Sequence, residues 1–374
     1  MIRKFICLAL CAVTLASCSS NEVEKGGSGT TVTPGGDDDD TTNGFPIVDD
    51  SVEPDISQFS DISGEKRVVY EMHKPTVTPH TNPELFEQVA ELSNEFNDDD
   101  LGANWSAFKG NFQAWPTYTE NVSLSDGYLQ LTVDKLEDAP LTVNYGGSNV
   151  DYYYSAASVR SEQSVVYGYF EAYMRGSTLE EGTCPAFWLY NLPYLADSNT
   201  AYEGKVCYNE IDVIEIQQVP SDYHIQSQNY HMMVWTKSGD SWAKEFVRPY
   251  SMMGQNECIT KWHPNDDFHL YACENRPDSI IWYIDNVRVA SKPNYFWHLE
   301  TELTLSVGLR TPLQTYINGV STAKPFDDTE GMADLLPAHY HVDYVRTWTR
   351  KDGYDSFRSS KREYDASQFP MDVD

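Results

Sequence analysis

The segment Glu210-Ile211-Asp212-Val213-Ile214-Glu215 sets three carboxylates among apolar side chains in a stretch with strand-like alternation. Successive side chains of a strand point to opposite faces, so Glu210 and Asp212 share one face while Ile211 and Val213 share the other. Strict alternation would send Glu215 inward. One extra residue at Val213-Ile214, a β-bulge, would return it to the side of the other acids, and bulges favour places where a side chain must be re-aimed. Carboxylates crowded in a row repel one another and split their pKa values, so that one stays protonated while a neighbour ionises. That is the division of labour between a general acid/base and a nucleophile. At ~3.3 Å per residue the outer Cα atoms lie roughly 13 Å apart, so a concave sheet and two leaning glutamates must bring the carboxyls toward the ~5.5 Å of a retaining glycosidase. The competing readings are a solvated acidic edge strand and a calcium site. Apolar residues at the alternate positions and at the flanks, Val206 and Ile216, speak for one buried face, and calcium ligands usually come from a loop with Gly and carbonyl oxygens.

The elements that must position these acids read as strands. Period-two runs bounded by Gly, Pro, Asn and Asp recur at Gly127 to Val133, Gly168 to Arg175, Ala186 to Tyr190, Glu210 to Ile216, Asn229 to Trp235, Phe268 to Glu274, Leu303 to Leu309 and His341 to Trp348. Ile280 to Ile284, Asp285-Asn286 and Val287 to Ala290 form a hairpin with a two-residue turn, the Asp-Asn pair tolerating positive φ. Long amphipathic helical patterns and internal repeats are missing, so propellers and solenoids are excluded. The expected fold is all-β, a two-sheet antiparallel sandwich over residues 84–352 with a concave substrate cleft.

Of 374 residues, 57 are Asp or Glu and 26 Lys or Arg, a formal charge of -31. Phosphate contacts need clustered bases, and none appear, so nucleic acid is excluded as a partner. The 25 Tyr, 15 Phe and 9 Trp exceed what a core needs, and exposed aromatic faces bind sugar rings. At the front, Arg3 and Lys4 precede an apolar run from Phe5 to Leu15, too short to span a membrane, which makes residues 1–17 an export signal. Leu15-Ala16-Ser17-Cys18 resembles a bacterial lipobox, so Cys18 is expected to carry lipid and anchor the chain to a membrane. Residues 18–83, rich in Gly, Thr and Asp, read as a disordered tether, and 353–374 as a C-terminal tail. The start Ser19-Ser20-Asn21-Glu22 looks like the surface-export signals of some diderm lipoproteins, which suits an outer-membrane or cell-surface location. Cys184, Cys207, Cys258 and Cys273 remain; no CxxC or Cys/His ligand spacing links them, so neither a metal nor another cofactor is expected. Disulfides among them and free thiols both stay open.

ExDxxE, preceded by Gly168-Tyr169-Phe170-Glu171-Ala172 and Pro185-Ala186-Phe187-Trp188-Leu189, followed by Asn229-Tyr230-His231 and closed by Val342-Asp343-Tyr344-Val345-Arg346, resembles glycoside hydrolase family 16. The resemblance implies a jelly-roll sandwich and retaining hydrolysis of a polysaccharide in a cleft. By motif position Glu210 matches the nucleophile, Asp212 the residue that holds and tunes it, and Glu215 the acid/base. Trp188 matches a Trp near the cleaved sugar, with core packing as its alternative. His231 and Asn229 would lie beside the acids on the next strand, and Trp115 in a cleft wall or in the core. Arg310, and more weakly Arg160 and Arg175, could hold a sulfate, ordinary ion pairing being the alternative. The bulged motif excludes the lichenase-like branch, and Phe187 to Asn191 with Leu303 to Arg310 look more like enzymes cutting red-algal galactans, with porphyran or agarose ahead of carrageenan. A laminarinase and a non-catalytic surface glycan binder are the alternatives, and a monomer is expected.

Overall fold

Leu303, Leu305, Val307 and Leu309 are buried to within 1% and alternate with Thr304, Ser306 and Gly308. The same two-residue rhythm along a series of strands gives each sheet one apolar face, and the two faces must meet. The computed structural model describes strands at 60–61 and 68–70 and residues 83–358, apart from 113, 146, 192–203, 221–224, 239–240, 247–255, 261, 318 and 352. The export signal, Cys18, most of the tether and residues 359–374 lie outside the described residues.

The strands that matter here are β1 (Trp105–Ala107), β2 (Tyr128–Lys135), β3 (Ala157–Val165), β4 (Gly168–Arg175), β5 (Thr183–Tyr190), β6 (Val206–Ile216), β7 (Ile225–Ser238), β8 (Asn256–Thr260), β9 (His269–Asn275), β10 (Ser279–Ile284), β11 (Val287–Pro293), β12 (Thr301–Leu309) and β13 (Ala338–Arg350). One sheet runs β8-β7-β6-β5-β12-β3-β1, and the other β2-β13-β4-β9-β10-β11. Pairing among these strands is antiparallel, and the helical segments among the described residues are 3₁₀ turns, so the chain is an all-β sandwich. The hairpin between β10 and β11 turns at Asp285 and Asn286, with φ of 48° and 66°, the left-handed values that a tight two-residue turn requires.

Two stretches depart from the expected segmentation. Val68–Tyr70, inside the span read as a disordered tether, pairs in parallel with β8, and Ser60–Asp61 pairs with it in turn. At the other end Ser356 accepts the Val166 amide at 2.8 Å, so the start of the tail packs on the sandwich. The four cysteines of the sandwich are buried, unbridged thiols.

The register around β6 is the part that positions the acids. Trp188, Leu189 and Tyr190 of β5 face Asp212, Ile211 and Glu210, but Phe187 faces Ile214, leaving Val213 as an extra residue. The β7 side shifts in the same place, between Asp212 and Glu215. This is the bulge expected at Val213-Ile214, and both bulge residues point into the core, at 1% and 0% exposure. The opposite sheet supports it: the Trp282 indole N–H of β10 donates to the Asp212 carbonyl at 3.0 Å. Trp297, in the loop before β12, donates to the Glu210 and His231 carbonyls at 2.9 and 3.0 Å.

Trp282→Phe keeps a ring in the core but leaves the buried Asp212 carbonyl without that donor. A loss of about 1–3 kcal/mol in urea unfolding is expected; an unchanged midpoint would show that the cross-sheet bond does not hold the bulge.

Candidate active site

Glu210, Asp212 and Glu215 lie on one face of β6. Ile211, Val213, Ile214 and Ile216 belong to the core beneath. On β7, His231 is in register with Glu210 and Asn229 with Asp212, as their spacing implied. The His231 ring places Nε2 3.5 Å from Asp212 Oδ2 and 3.8 Å from Glu210 Oε1. Glu210 is only 7% exposed and Asp212 4%. Burial, then the charge of Asp212, pushes the Glu210 carboxyl from its ordinary 4.5 up to about 8, against the pull of His231 and of a hydrogen bond from Tyr208. Asp212 is pushed well up too, by burial first and by Glu215 second. In this setting the free protein keeps a proton on the Glu210–Asp212 pair near neutral pH.

Glu215 is held differently. Arg310 Nη2 donates to its Oε1 at 2.7 Å, while Nε donates to Gln217 at 2.8 Å and Nη1 to the Leu309 carbonyl at 2.9 Å. Arg310, read as a sulfate holder with ordinary ion pairing as the alternative, makes an ion pair with Glu215, and a sulfate would have to accept from the remaining N–H groups of its fork. The Cys184 thiol lies 3.8 Å from the same Glu215 oxygen. Glu210, Asp212 and His231 each bring one ligand atom within 4.8 Å of the others and could hold a divalent cation between them.

Aromatic faces flank the carboxylates. Trp188 is half-buried on the cleft face, donates to Ser306 Oγ at 3.0 Å and stacks on Tyr190 with ring centroids 4.2 Å apart. Tyr190 stands in register with Glu210 and accepts from Arg160 Nη1 at 3.2 Å, so Arg160 also belongs to this face. Trp115 lies over Gly308, where an added Cβ would come within 2.6 Å of the indole; Gly308 is the partner of Cys184 on the cleft side of β12. This puts Trp115 at the Glu215 end of the row. Arg175 is on the other sheet, 3.2 Å from His341 and packed against Phe268, so the idea that it meets substrate is corrected: β4 is not a strand of the cleft sheet. Tyr190 and Ser306 were missed as site residues, although period two from Trp188 and from Thr304 already placed them on the same faces.

Two carboxylates suffice to cleave an acetal when burial keeps a proton between them, and aromatic walls suit ring-shaped substrates. Fold and site together define the class of β-sandwich glycoside hydrolases. The description "Beta-porphyranase A-D, GH16 domain" matches residues 86–350, and the chain belongs to glycoside hydrolase family 16. A curated kappa-carrageenase of Pseudoalteromonas carrageenovora is 32% identical over 266 residues, 70% of this chain and 64% of that protein, so the match spans slightly under two thirds of the relative. The crystal structure of that organism's kappa-carrageenase with a kappa-carrageenan oligotetrasaccharide is similar at a TM-score of 0.62 and 28% identity, covering 74% of this chain and 99% of that one. Porphyranase B of Zobellia galactanivorans, at a TM-score of 0.52 and 19% identity over 75% of this chain and 100% of that one, shares the fold.

The raised carboxyl has a consequence for stability. Between pH 4.5 and about 8 the folded protein keeps on Glu210 a proton that the unfolded chain releases, so stability falls as pH rises through that window. Glu210→Gln removes this loss. Its melting temperature should exceed that of the parent at pH 8, with the difference shrinking toward zero at pH 5; a gap independent of pH would mean that Glu210 is not held protonated.

Proposed function

We propose that this chain is an endo-acting, retaining glycoside hydrolase that cuts β-galactosidic bonds in a sulfated red-algal galactan. The observation that carries the reading is the bulge in β6, which sets Glu210 and Glu215 on one face as two carboxylates in different surroundings. When substrate binds, the proton kept on the Glu210–Asp212 pair moves to Glu215. In the first step an oxygen of the now ionised Glu210 bonds to the anomeric carbon, the glycosidic C–O bond breaks, and Glu215 gives that proton to the leaving oxygen. In the second, Glu215 takes a proton from water, the water oxygen bonds to the same carbon, and Glu210 leaves with its electron pair. The two inversions return the original configuration. Asp212 and His231 spread the charge and hold the shared proton beside Glu210.

The sequence reading set porphyran or agarose ahead of carrageenan. The relative at 32% identity is a kappa-carrageenase and the matching family description is a beta-porphyranase domain; both support a sulfated galactan, and we take kappa-carrageenan as the first substrate to test. Among the described residues, Arg160 beside Tyr190 and the N–H groups of Arg310 not bonded to Gln217, Leu309 or Glu215 are cationic groups on the cleft face suited to a sulfate. Export and a lipid anchor at Cys18 belong to the same reading, since a polymer too large to import has to be cut outside the cell.

Incubating the mature protein with kappa-carrageenan, porphyran, agarose and laminarin and following new reducing ends tests this. Turnover is expected on a sulfated galactan, with Glu210→Gln and Glu215→Gln each losing at least about 10²–10⁴-fold. Cleavage confined to laminarin, or tight binding without cleavage, would replace the reading by a laminarinase or a glycan binder. Cys18→Ala should move the protein from the membrane to the soluble fraction; an unchanged distribution would remove the lipid anchor.

A further inference from the structure

Tyr208 takes no part in the steps just described. It stands two residues before Glu210 on β6, so the period of the strand brings its side chain to the face of the acids. The ring is 2% exposed and edge-on to Phe246, with centroids 6.3 Å apart. Its hydroxyl donates to Glu210 Oε2. The other carboxylate oxygen, Oε1, lies toward His231 Nε2 at 3.8 Å. We propose that Tyr208 is a positioning residue for the nucleophile, pinning Oε2 so that Oε1 is the oxygen presented to the anomeric carbon. The proposal rests on the reading of Glu210 as nucleophile.

A carboxylate on a free χ3 torsion offers either oxygen at a range of angles. A fixed donor on one oxygen removes that freedom before substrate arrives, which is the part of the barrier that preorganisation lowers. The donor must also stay a donor. Burial pushes the Tyr208 phenol well above its ordinary value, so the O–H persists across the working pH range. The ionisable groups facing Glu210 are Tyr208, Asp212 and Glu215 on its own strand, His231 on β7 and Tyr190 on β5. Burial and Asp212 raise the Glu210 carboxyl, while His231 and the phenol lower it. Deleting only the hydroxyl therefore leaves every formal charge in place and lets Glu210 ionise at higher pH.

The test titrates the Glu210 carboxyl directly, by infrared difference spectra against Glu210→Gln, in the whole mature protein. Tyr208→Phe should raise the midpoint by about one unit, a tenfold loss of ionised nucleophile at any pH well below it. Site-specific replacement of Tyr208 by 3-fluorotyrosine, similar in shape but a stronger donor, should move the midpoint the other way. On kappa-carrageenan the low-pH limb of kcat/KM should follow both shifts, with KM nearly constant. If Tyr208→Phe does not fold, the fluorotyrosine protein decides alone. A midpoint that stays put in the folded variants, or moves the same way in both, overturns the proposal, because a ring that only packs would change stability and not the titration. Turnover retained by Glu210→Gln overturns the nucleophile reading on which it rests; that result is distinguished from failure of the contact by the titration, which needs no substrate.

Discussion

Taking a carboxylate out of water costs several kcal/mol unless a countercharge, a hydrogen bond or a proton offsets it, and β6 sets three of them on one face. Each is accommodated by a different means. Glu215 has the Arg310 fork, Glu210 has Tyr208 and His231, and Asp212, pushed well up by burial, shares a proton with its neighbour. The surrounding architecture answers the same constraint. β5 and β7 must flank β6 to exclude water, the bulge must bring Glu215 round, and Trp282 and Trp297 must supply N–H groups to carbonyls that the core would otherwise leave dry.

Much of this was legible because β-structure repeats every two residues. Alternation told which side chains share a face, so the acid row, the need for a bulge and the kinship of Asn229 with His231 could be read from one strand at a time. Alternation carries no information about which strand lies next to which. Arg175 and Arg310 both end strands in the sequence, yet one falls on the sheet away from the cleft and the other beside Glu215. Trp115 could be placed only once β12 was known to offer a bare backbone at Gly308 for the indole to lie on. Composition failed in a similar way at Val68–Tyr70, where a short apolar run inside a polar stretch found an edge strand to pair with.

The walls of the cleft follow from the same alternation. The Trp188 indole is fixed by Ser306 and by stacking on Tyr190, so a sugar ring meets a surface that loses little rotamer freedom on contact. The floor beyond it is small: Cys184, Ala186, Ser306 and Gly308 project little from their strands. The Trp115 indole lies across the Gly308 end of that floor, toward the Glu215–Arg310 pair.

β6 also has a hydrogen-bonded neighbour on each side, the Trp297 indole of the loop before β12 on the Glu210 carbonyl and, through the Trp282 indole, a foothold in the layer behind it. Fraying begins at edges and loop tips, where few bonds must break together. The amides around Glu210 and Asp212 belong instead to the last part of the molecule to open, and their deuterium exchange reports the free energy of the whole sandwich. Heat therefore has no gentle way to disarm the carboxylates: their alignment persists for as long as the two sheets remain together and is lost in the same cooperative event.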